Sequence, residues 1–345
     1  MISDFIKLST LAGTRADWVQ AGGGNSSVKI NDHEMYVKAS GYQLSEVSTE
    51  KGWSKVNYKK IADFFKLNPN NNDLKECEKD LIASSFIAGE KPSIETFLHS
   101  MTQKVTLHTH PTLINAILTR DNYVNIINEL FPDSIIIDYQ TPGILLAELL
   151  FAKTSGSASN LIFLQNHGLI VTGDSVSHVI DVTNSTVDKA AEFLKINNQK
   201  YRNISLIYDM IKKLSSSFCG VVHITENTHI SQALIKNNFQ IWDYNFCPDC
   251  IVYCGTNAYV SVGDINFQKF KNHIDTFGMP RIIIINDNLY IIASSNKKAY
   301  EVESVLSFSA QIFLLNITSN VVLLDKDEQF YLQNWEAEKY RQDSR

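Results

Sequence analysis

The sequence has 345 residues, enough for one large domain or two ordinary ones, and a hydrophobic fraction of 44% suffices for a packed core. A net charge of −6 argues against a protein that reads the phosphate backbone of nucleic acids. The chain lacks the roughly 18 consecutive apolar residues of a membrane span and starts without a signal-peptide pattern, so we expect a cytoplasmic protein with no membrane partner. Five scattered cysteines fit reduced thiols better than a disulfide framework.

The chain begins with a predicted helix from Ser3 to Gln20, whose apolar residues are spaced to form one packed face. A glycine loop containing Gly24, Asn25 and Ser26 follows and leads into a predicted strand from Ser27 to Ile30. A dinucleotide fingerprint would follow a strand and open a helix, so this loop does not predict one. Two interpretations remain, an ordinary tight loop or a nest of backbone N–H groups that binds an anion, with the two polar side chains as further donors.

A second small-residue turn, at Ser40 and Gly41, ends a predicted strand that begins at Met35. Its hydroxyl and a backbone N–H could contribute to the same anion site. Lys38 on this strand either points towards that anion or is an ordinary solvated lysine.

The segment from Lys91 to Pro111 carries the strongest chemical signal. Val105 to His110 is a predicted strand, on which His108 and His110 are two residues apart and therefore point to the same face. Just before it, a helix predicted from Pro92 to Met101 carries Glu95 and His99 four residues apart on one face. Packed against the strand, this helix would bring the carboxylate over the two imidazoles.

A third histidine turns this pair into a candidate zinc site. The apolar strand from Leu161 is interrupted at His167-Gly168, which predicts a histidine at a strand end. Two histidines from one strand and one from another form a three-nitrogen site with an open position, which is typical of catalytic zinc. For His108 and His110 alone, a solvent-facing pair on a strand is the alternative interpretation.

Beyond the histidine pair, the predicted strand from Ser134 to Tyr139 ends beside a Pro-Gly turn. Tyr139 is therefore either a proton donor held over the site or a partly buried packing residue. Helices predicted for Gly143 to Ala152 and Val176 to Lys195 flank the strand that contains His167. Alternating strands and helices indicate an α/β or α+β layered domain.

A second domain is predicted for residues 205–345, after a catalytic domain of residues 1–200 and a polar segment that starts at Asn197. It contains a predicted hairpin from Arg281 to Ala293 and helices from Lys297 to Asn316 and Glu328 to Arg341. Cys247, Cys250 and Cys254 suggest a second zinc site, but no second close pair accompanies them, and we interpret them as buried thiols. We expect this domain to assist assembly or to cover the active-site mouth.

Five motifs, in order across about residues 15 to 190, resemble the class II aldolase/adducin family: Gly-Gly-Asn-Ser-Ser-Val-Lys, Lys-Ala-Ser-Gly, Pro-Ser-Ile-Glu-Thr, Leu-His-Thr-His-Pro and Gln-Asn-His-Gly-Leu-Ile. The resemblance implies a central, mainly antiparallel sheet with flanking helices in three layers, and a homotetramer with active sites at subunit boundaries. It also implies a site for Zn²⁺ or another divalent metal and for a sugar phosphate. The implied metal ligands are His108, His110 and His167, the acid/base is Glu95, the tyrosine acid is Tyr139, and the phosphate cradle is Gly24, Asn25, Ser40, Gly41 and Ser93.

The likeness continues beyond the first domain. The segments Pro248–Gly255 and Gln333–Arg341 are similar to the region that follows the aldolase part of bifunctional rhamnulose-phosphate aldolase/lactaldehyde dehydrogenases. Those proteins continue into a dehydrogenase, whereas this sequence contains no Gly-x-Gly-x-x-Gly, so we predict no nicotinamide chemistry.

The resemblance implies retro-aldol cleavage of a ketose 1-phosphate, of the rhamnulose or fuculose type, to dihydroxyacetone phosphate and an aldehyde. Three alternatives stay open: a pentulose-phosphate 4-epimerase on the same metal site, a non-catalytic adducin-like binding or scaffold protein, and metal-dependent hydrolysis. Ile94 stands where short single-domain aldolases have a second serine before the glutamate, which removes one phosphate donor. Schiff-base chemistry has no support beyond the presence of lysines.

Overall fold

The computed structural model describes residues 1–68, 73–154, 159–236 and 244–334. These residues form two compact units, Met1–Gln199 and a second that begins at Lys200. Each unit is described separately below, because each has its own sheet and its own hydrophobic core. The large, mainly antiparallel sheet with flanking helices and the smaller second sheet confirm the predicted fold class. Within the described ranges no helix is both long and apolar enough to cross a membrane.

An eight-stranded sheet, in the order β4-β3-β2-β1-β5-β8-β7-β6, forms the centre of the first unit. Its neighbouring strands are antiparallel except for the parallel pair β6 and β7. The strands are β1 (Asn25–Lys29), β2 (Glu34–Lys38), β3 (Trp53–Asn57), β4 (Phe86–Gly89), β5 (Val105–Thr109), β6 (Ile135–Ile137), β7 (Leu161–Leu164) and β8 (Gly168–Gly173).

Eight helices flank this sheet among the described residues, together with a 3₁₀ turn at Leu44–Glu46. They are α1 (Ile2–Gly13), α2 (Tyr58–Leu67), α3 (Leu74–Ser85), α4 (Thr96–Ser100), α5 (Thr112–Leu118), α6 (Tyr123–Leu130), α7 (Ile144–Thr154) and α8 (Val176–Leu194).

The alternation of side chains along the strands shows which helices cover which face. Ile162, Leu164 and Ile170 belong to the core that also contains residues of α2, α3, α4 and α7. Phe163 points to the opposite face, where its ring lies 5.0 Å from that of Phe131 after α6. Helices α1 and α5 pack against α8. The sheet therefore lies between two helical layers.

Two predicted helices are shorter in the structure. The first ends at Gly13 instead of Gln20, and a buried turn follows it. The predicted helix from Pro92 to Met101 begins only at Thr96, because Pro92 forms a bridge with Ala39 beside β2. Sheet pairing thus replaces the first helical turn.

The second unit contains a four-stranded sheet in the order β10-β11-β12-β9, with β10 and β11 parallel and the other pairs antiparallel. Helix α13 packs on β9 and β12 and against α10 and α11, around an isoleucine-rich core. The elements are α9 (Gln199–Leu214), β9 (Val221–Ile224), α10 (Thr228–Ile235), α11 (Pro248–Cys254), β10 (Ala258–Ser261), α12 (Phe267–Phe277), β11 (Ile282–Ile285), β12 (Asn288–Ala293), α13 (Asn296–Leu315) and α14 (Lys326–Asn334).

The predicted elements of this second unit appear with small changes in their ends. The predicted hairpin is formed by β11 and β12, and the predicted helix from Lys297 corresponds to α13. Helix α14 occupies the start of the helix predicted from Glu328 to Arg341, of which residues 335–341 lie outside the described ranges.

The buried turn after α1 is stabilised by an ion pair. Arg15, fully buried, donates from Nε and Nη2 to the two carboxylate oxygens of Asp17 at 2.7 and 2.8 Å. Its guanidinium also lies 4.1 Å from the ring centroid of Trp18. The carbonyl of Trp18 accepts a 2.7 Å hydrogen bond from the backbone N–H of His110, so this turn holds the chain at the end of β5.

We expect Arg15→Met to lower the free energy of unfolding by about 3–5 kcal/mol, because it leaves the buried Asp17 carboxylate unpaired. Adding Asp17→Asn should recover part of this loss by removing the charge. Urea unfolding followed by tryptophan fluorescence measures both values. The exposed pair Lys59 and Asp63 is the control, since Lys59→Met should change stability little. An equally small effect of Arg15→Met would contradict the assignment.

Candidate metal centre

Four side chains converge at one end of the central sheet. In β5, His108 lies opposite Asn25 of β1 and Ile170 of β8, so it faces the helical layer that contains α4. His110 follows two residues later, just past the strand end. His167 occupies the tight turn between β7 and β8, and Glu95 is the N-cap residue of α4.

The four ligand atoms, Nε2 of the three histidines and Oε1 of Glu95, lie within a space that suits one ion. His108 Nε2 is 3.1 Å from His110 Nε2 and 3.2 Å from His167 Nε2. Glu95 Oε1 is 3.3 Å from His108 Nε2 and 3.5 Å from His167 Nε2. Tetrahedral zinc, with bonds of about 2.0–2.1 Å to nitrogen, separates its ligands by about 3.3–3.4 Å. The group could therefore hold a metal ion.

The protonation pattern of His108 supports a cation between these atoms. Its Nδ1 lies 3.1 Å from the carbonyl oxygen of Leu169, which can only accept a hydrogen bond. The proton is therefore on Nδ1, and Nε2 presents a lone pair to its neighbours. One lone pair cannot satisfy two adjacent imidazole nitrogens and a carboxylate, but a divalent cation would attract all four ligand atoms.

The electrostatics of the cluster favour metal-binding protonation states. Burial opposes ionisation of Glu95, but the adjacent imidazoles of His108 and His167 outweigh burial and hold the pKa of the carboxyl group well below its usual range. Burial, and to a smaller extent the neighbouring His108 and His167, lower the pKa of His110 to about 3. At neutral pH the carboxylate is thus charged and His110 is neutral, as metal ligation requires.

The backbone around His167 and His110 leaves little free space. The carbonyl of His167 accepts a 3.2 Å hydrogen bond from Asn115 Nδ2. A Cβ atom on Gly168 would lie 2.3 Å from the Thr109 carbonyl oxygen and 2.9 Å from Cδ2 of His110. His167 Nδ1 is buried without a hydrogen-bond partner among the described residues. Gly168 thus allows the close approach of β8 to β5 that brings His167 to the pair.

The first loop predicted to bind an anion lies next to the histidines. Gly24 has a φ of +75°, and a Cβ there would lie 3.0 Å from the carbonyl oxygen of His108. Asn25 is fully buried, and its Nδ2 has no hydrogen-bond partner within the described residues. Ser26 does not join it, because its hydroxyl lies 2.7 Å from that of Ser9 on the other face of β1.

Lys38 links this loop to the second one. Its ammonium donates to the carbonyl of Gly22 at 3.3 Å and to that of Tyr42 at 2.7 Å, and the side chain is only 3% exposed. Burial lowers the pKa of Lys38, while the charge of Glu95 acts in the opposite direction. The solvated-lysine interpretation is therefore wrong.

The other residues of the predicted cradle lie around that second loop. The backbone N–H of Ser40 donates to the carbonyl of Lys91 at 2.9 Å, and Ser40 and Gly41 are both exposed. Gly41 has a φ of +84°. Ser93 precedes α4, and its hydroxyl accepts a 3.3 Å hydrogen bond from the Glu95 N–H. Ile94 between them is 44% exposed.

Tyr139 lies apart from the four converging side chains. It follows β6, is 59% exposed, and donates its backbone N–H to Gln165 Oε1 at 2.9 Å. No hydrogen bond of the described residues joins it to a histidine of the cluster. The hydrogen bonds of the described residues therefore do not connect Tyr139 to the four converging side chains.

Two side chains near the site make contacts that the sequence did not predict. His99 is buried, and its Nδ1 lies 2.7 Å from the hydroxyl of Ser27. Glu90 accepts a 2.5 Å hydrogen bond from the hydroxyl of Tyr42 and a 2.7 Å hydrogen bond from the N–H of Gly52. Helical spacing placed His99 near Glu95, but nothing in the sequence pairs Glu90 with Tyr42, because 47 residues separate them.

Stability should fall in acid because His99 stays neutral in the folded protein. Burial lowers the pKa of His99 from 6.5 to about 3. Between these values the unfolded chain binds a proton that the folded protein does not, so stability is full above pH 6.5 and is lost as pH falls towards 3. We expect His99 to contribute about 2 kcal/mol of this loss between pH 7 and pH 5.

Urea unfolding at a series of pH values, with chelator present, measures this contribution as the difference between wild type and His99→Gln. His110 titrates in both proteins, so its contribution cancels in the comparison. Identical pH profiles would show that His99 is not the source of the loss.

Gly168→Ala should weaken metal binding about 10- to 100-fold, the range for residues that orient ligands, because the new methyl group displaces Thr109 and His110. The matched control is Gly22→Ala, since a Cβ on Gly22 has no atom within 4 Å. Isothermal titration with Zn²⁺ gives the affinities, and circular dichroism reports the fold. Wild-type affinity in Gly168→Ala would contradict this account of the turn.

Comparison with known proteins identifies a family for the first unit. A profile described as "Class II Aldolase and Adducin N-terminal domain" matches residues 4–194. Over 209 residues the chain is 26% identical to a Bacillus subtilis protein named "Uncharacterized oxidoreductase YuxG", covering 56% of this chain and 29% of YuxG. Over 201 residues it is 25% identical to the 3-oxo-tetronate 4-phosphate decarboxylase of Haemophilus influenzae, covering 53% of this chain and 82% of that protein.

Two solved structures illustrate the similarity. The N-terminal class II aldolase domain of a conserved Thermoplasma acidophilum protein has 26% identity and a TM-score of 0.49, with coverage of 56% of this chain and 93% of the other. An L-fuculose-1-phosphate aldolase from Thermus thermophilus has 16% identity and a TM-score of 0.37, with coverage of 56% and 96%. The family profile spans more than half of the residues of this chain, so the chain belongs to the class II aldolase and adducin N-terminal domain family.

Proposed function

We propose that this protein is a metal-dependent aldolase that cleaves a ketose 1-phosphate, of the rhamnulose or fuculose type, to dihydroxyacetone phosphate and an aldehyde. The observation that carries the proposal is the convergence of three imidazole nitrogens and one carboxylate oxygen within 4.8 Å. The neighbouring loops add donors suited to a phosphate, among them the buried Asn25 amide. Membership of the family makes carbon–carbon bond chemistry at this centre the expected use.

His108, His110 and His167 would hold the ion, with Glu95 beside it. When bound, a divalent metal such as Zn²⁺ supplies Lewis acidity that stabilises the negative charge of an enediolate. The donor set fits this role, because three neutral imidazoles leave positions for a substrate carbonyl and its neighbouring hydroxyl.

Glu95 is the residue we propose for proton transfer at carbon. Its low pKa keeps the carboxylate ionised at neutral pH, so in the direction of aldol addition it can accept the proton from the carbon next to the carbonyl. In cleavage the same group returns that proton to the carbon left by the broken bond. Tyr139 is proposed to exchange the other proton with the aldehyde oxygen.

The phosphate group is proposed to bind between the two loops bridged by Lys38. The Gly24 backbone, the unpartnered Asn25 amide, the Ser40 hydroxyl, the Gly41 backbone and the Ser93 hydroxyl would serve as donors. Buried donors that lack protein partners are costly unless a ligand satisfies them, which supports this assignment for Asn25. The Lys38 charge would add attraction for an anion at the junction of the loops.

Further parts of the proposal concern the whole protein. We propose zinc as the metal, a cytoplasmic homotetramer as the assembly, and assembly or active-site cover as the role of residues 205–345. A tetramer with sites at subunit boundaries would give the exposed Tyr139 a site to act on. The chain spans less than a third of YuxG, so no activity of that protein is carried over.

A second candidate is decarboxylation of a phosphorylated 3-oxo sugar acid. It is favoured by the match to 3-oxo-tetronate 4-phosphate decarboxylase over 53% of this chain. The chemistry is related, because loss of carbon dioxide next to a carbonyl also leaves an enediolate for the same cation to stabilise. Release of carbon dioxide instead of an aldehyde distinguishes the two reactions.

The first test is the metal content of protein purified without chelator, followed by a ketose 1-phosphate panel coupled to detection of dihydroxyacetone phosphate. We expect one divalent ion per subunit, loss of the ion in His108→Ala but not in the control His223→Ala, and triose phosphate release. Metal without triose phosphate would favour the epimerase or the decarboxylase, and a hydrolytic product would favour hydrolysis. Protein without metal would contradict catalysis and favour an adducin-like scaffold.

Glu95→Gln should lower kcat about 10²- to 10⁴-fold, the usual contribution of a general acid or base. The amide keeps an oxygen towards the cluster, so bound metal should be retained. Glu303→Gln is a matched control, since Glu303 also lies 3.3 Å from a histidine Nε2, that of His223 in the second unit. Loss of bound metal in Glu95→Gln would show that Glu95 acts as a metal ligand. Unchanged turnover would show that Glu95 takes no part in the reaction.

A further inference from the structure

Two cysteines at the start of α11 have their sulfur atoms in contact. Cys247 Sγ and Cys250 Sγ are 3.5 Å apart, and both residues are free thiols. Cys247 is half-buried, whereas Cys250 is only 3% exposed. Pro248, the first residue of the helix, fixes the backbone between them, so their proximity is built into the chain.

A metal does not account for this pair. Cys254, one helical turn after Cys250, is also buried, and burial raises its pKa. Across the described residues, the only group of three or more His, Cys, Asp and Glu side chains placed to hold a metal is the one around His108. The described residues around the pair thus offer no metal site, and the chemistry left to consider is that of the two thiols.

We propose that Cys247 and Cys250 form a redox-active dithiol site, which reacts with a small disulfide such as oxidised glutathione to give an intramolecular disulfide. A disulfide bond is about 2.0 Å long, so the two sulfur atoms need to approach by only about 1.5 Å. Rotation of the half-buried Cys247 side chain can supply this movement without a change in the buried helix. The proposal does not depend on the aldolase function.

The two sulfur atoms have different parts in the reaction. The accessible Cys247, as thiolate, attacks one sulfur of oxidised glutathione, forms a mixed disulfide and releases the other glutathione as a thiolate that takes up a proton. Cys250 then loses its proton and attacks Cys247 Sγ, which breaks the mixed disulfide and releases the second glutathione. Two protein thiols are oxidised and one external disulfide is reduced to two thiols, so atoms and electrons balance.

The difference in burial sets this order. Burial and the neighbouring Cys247 raise the pKa of Cys250 to about 12. At pH 8 such a thiol is ionised in roughly one molecule in 10⁴, so it reacts slowly with external reagents. Once a mixed disulfide forms at Cys247, Cys250 Sγ already lies next to Cys247 Sγ. The attack of Cys250 on the mixed disulfide is therefore intramolecular.

The site can influence a neighbouring helix. Helix α11 packs against both α13 and α14. The residue two before Cys247, Asn245, accepts a hydrogen bond from the N–H of Leu324 at 2.8 Å and donates to Gln329 Oε1 at 3.4 Å. Oxidation would tie this segment to the first turn of α11, so it should slow hydrogen exchange in α14.

The test uses the full chain, equilibrated in mixtures of reduced and oxidised glutathione, then alkylated and analysed by tandem mass spectrometry. We expect loss of two alkylation sites, localised to Cys247 and Cys250, and return of both on reduction. Cys250→Ser should instead accumulate one glutathione on Cys247, because the second attack is removed. Cys254→Ser and Cys219→Ser are the matched controls and should form the disulfide as wild type does.

Two results would overturn the proposal. One is wild-type protein whose Cys247 and Cys250 remain fully alkylated in mixtures that oxidise ordinary dithiols. The other is loss of the disulfide in Cys254→Ser, with wild-type circular dichroism, which would assign the reactive pair to Cys250 and Cys254. Cys247→Ser, also checked by circular dichroism, should block both the mixed disulfide and the internal one, and glutathione on Cys250 in this variant would contradict the proposed order.

Discussion

The contact between β5 and β8 is the constraint on which the candidate centre depends. Its register sets His108 opposite Ile170 and brings the turn that carries His167 beside the end of β5. The same pairing places the Leu169 carbonyl where it accepts the Nδ1 proton of His108. One stretch of antiparallel backbone therefore fixes both the position of the imidazoles and the nitrogen that carries the lone pair. Gly168 is needed because any side chain there would separate the two strands.

The candidate site has two halves, the four side chains that could hold a metal and the loops proposed to bind an anion, and the two halves share a charge balance. Three imidazoles next to one carboxylate favour ionised Glu95, and Glu95 in turn favours the charged form of the buried Lys38. Lys38 uses that ammonium to bridge the carbonyls of Gly22 and Tyr42, one from each loop. A cation bound by the histidines and an anion bound by the loops would therefore each change the field acting on the other half. In the proposed function, a substrate with both a chelating oxygen pair and a phosphate would interact with both parts of the site.

Sequence periodicity predicted the parts of the centre that depend on local geometry. His108 and His110 share a face because strand residues alternate, and the break at His167-Gly168 predicted a histidine at a strand end, which lies in the turn between β7 and β8. Sequence periodicity failed where contacts between distant segments of the chain determine the local structure. The pairing of Pro92 with Ala39 removed the first turn of the predicted helix and left Glu95 as a cap. Lys38 and Arg15 can be buried because their charged groups have hydrogen-bond acceptors. Lys38 donates to the carbonyl of Gly22 and Arg15 to the side chain of Asn184, and no local sequence pattern predicts these partners.

Under the proposed function, the buried residues of the site would determine the type of reaction, and the exposed ones would determine which substrate is accepted. The four candidate ligand atoms lie in a closely packed region, where His108 is fully buried and Glu95 is held by its neighbours, so the protein itself fixes their arrangement. Such a fixed centre suits the proposed enediolate chemistry without selecting the substrate. Ile94 and Tyr139 are exposed and have few fixed contacts. Ile94 places an alkyl group where short single-domain aldolases have a serine, so in the proposed site a phosphate would draw more of its binding from Asn25, Ser40 and Lys38. In the proposed function, the bound phosphate would orient the remainder of the substrate, so a change in its donors would alter which bond lies next to the metal.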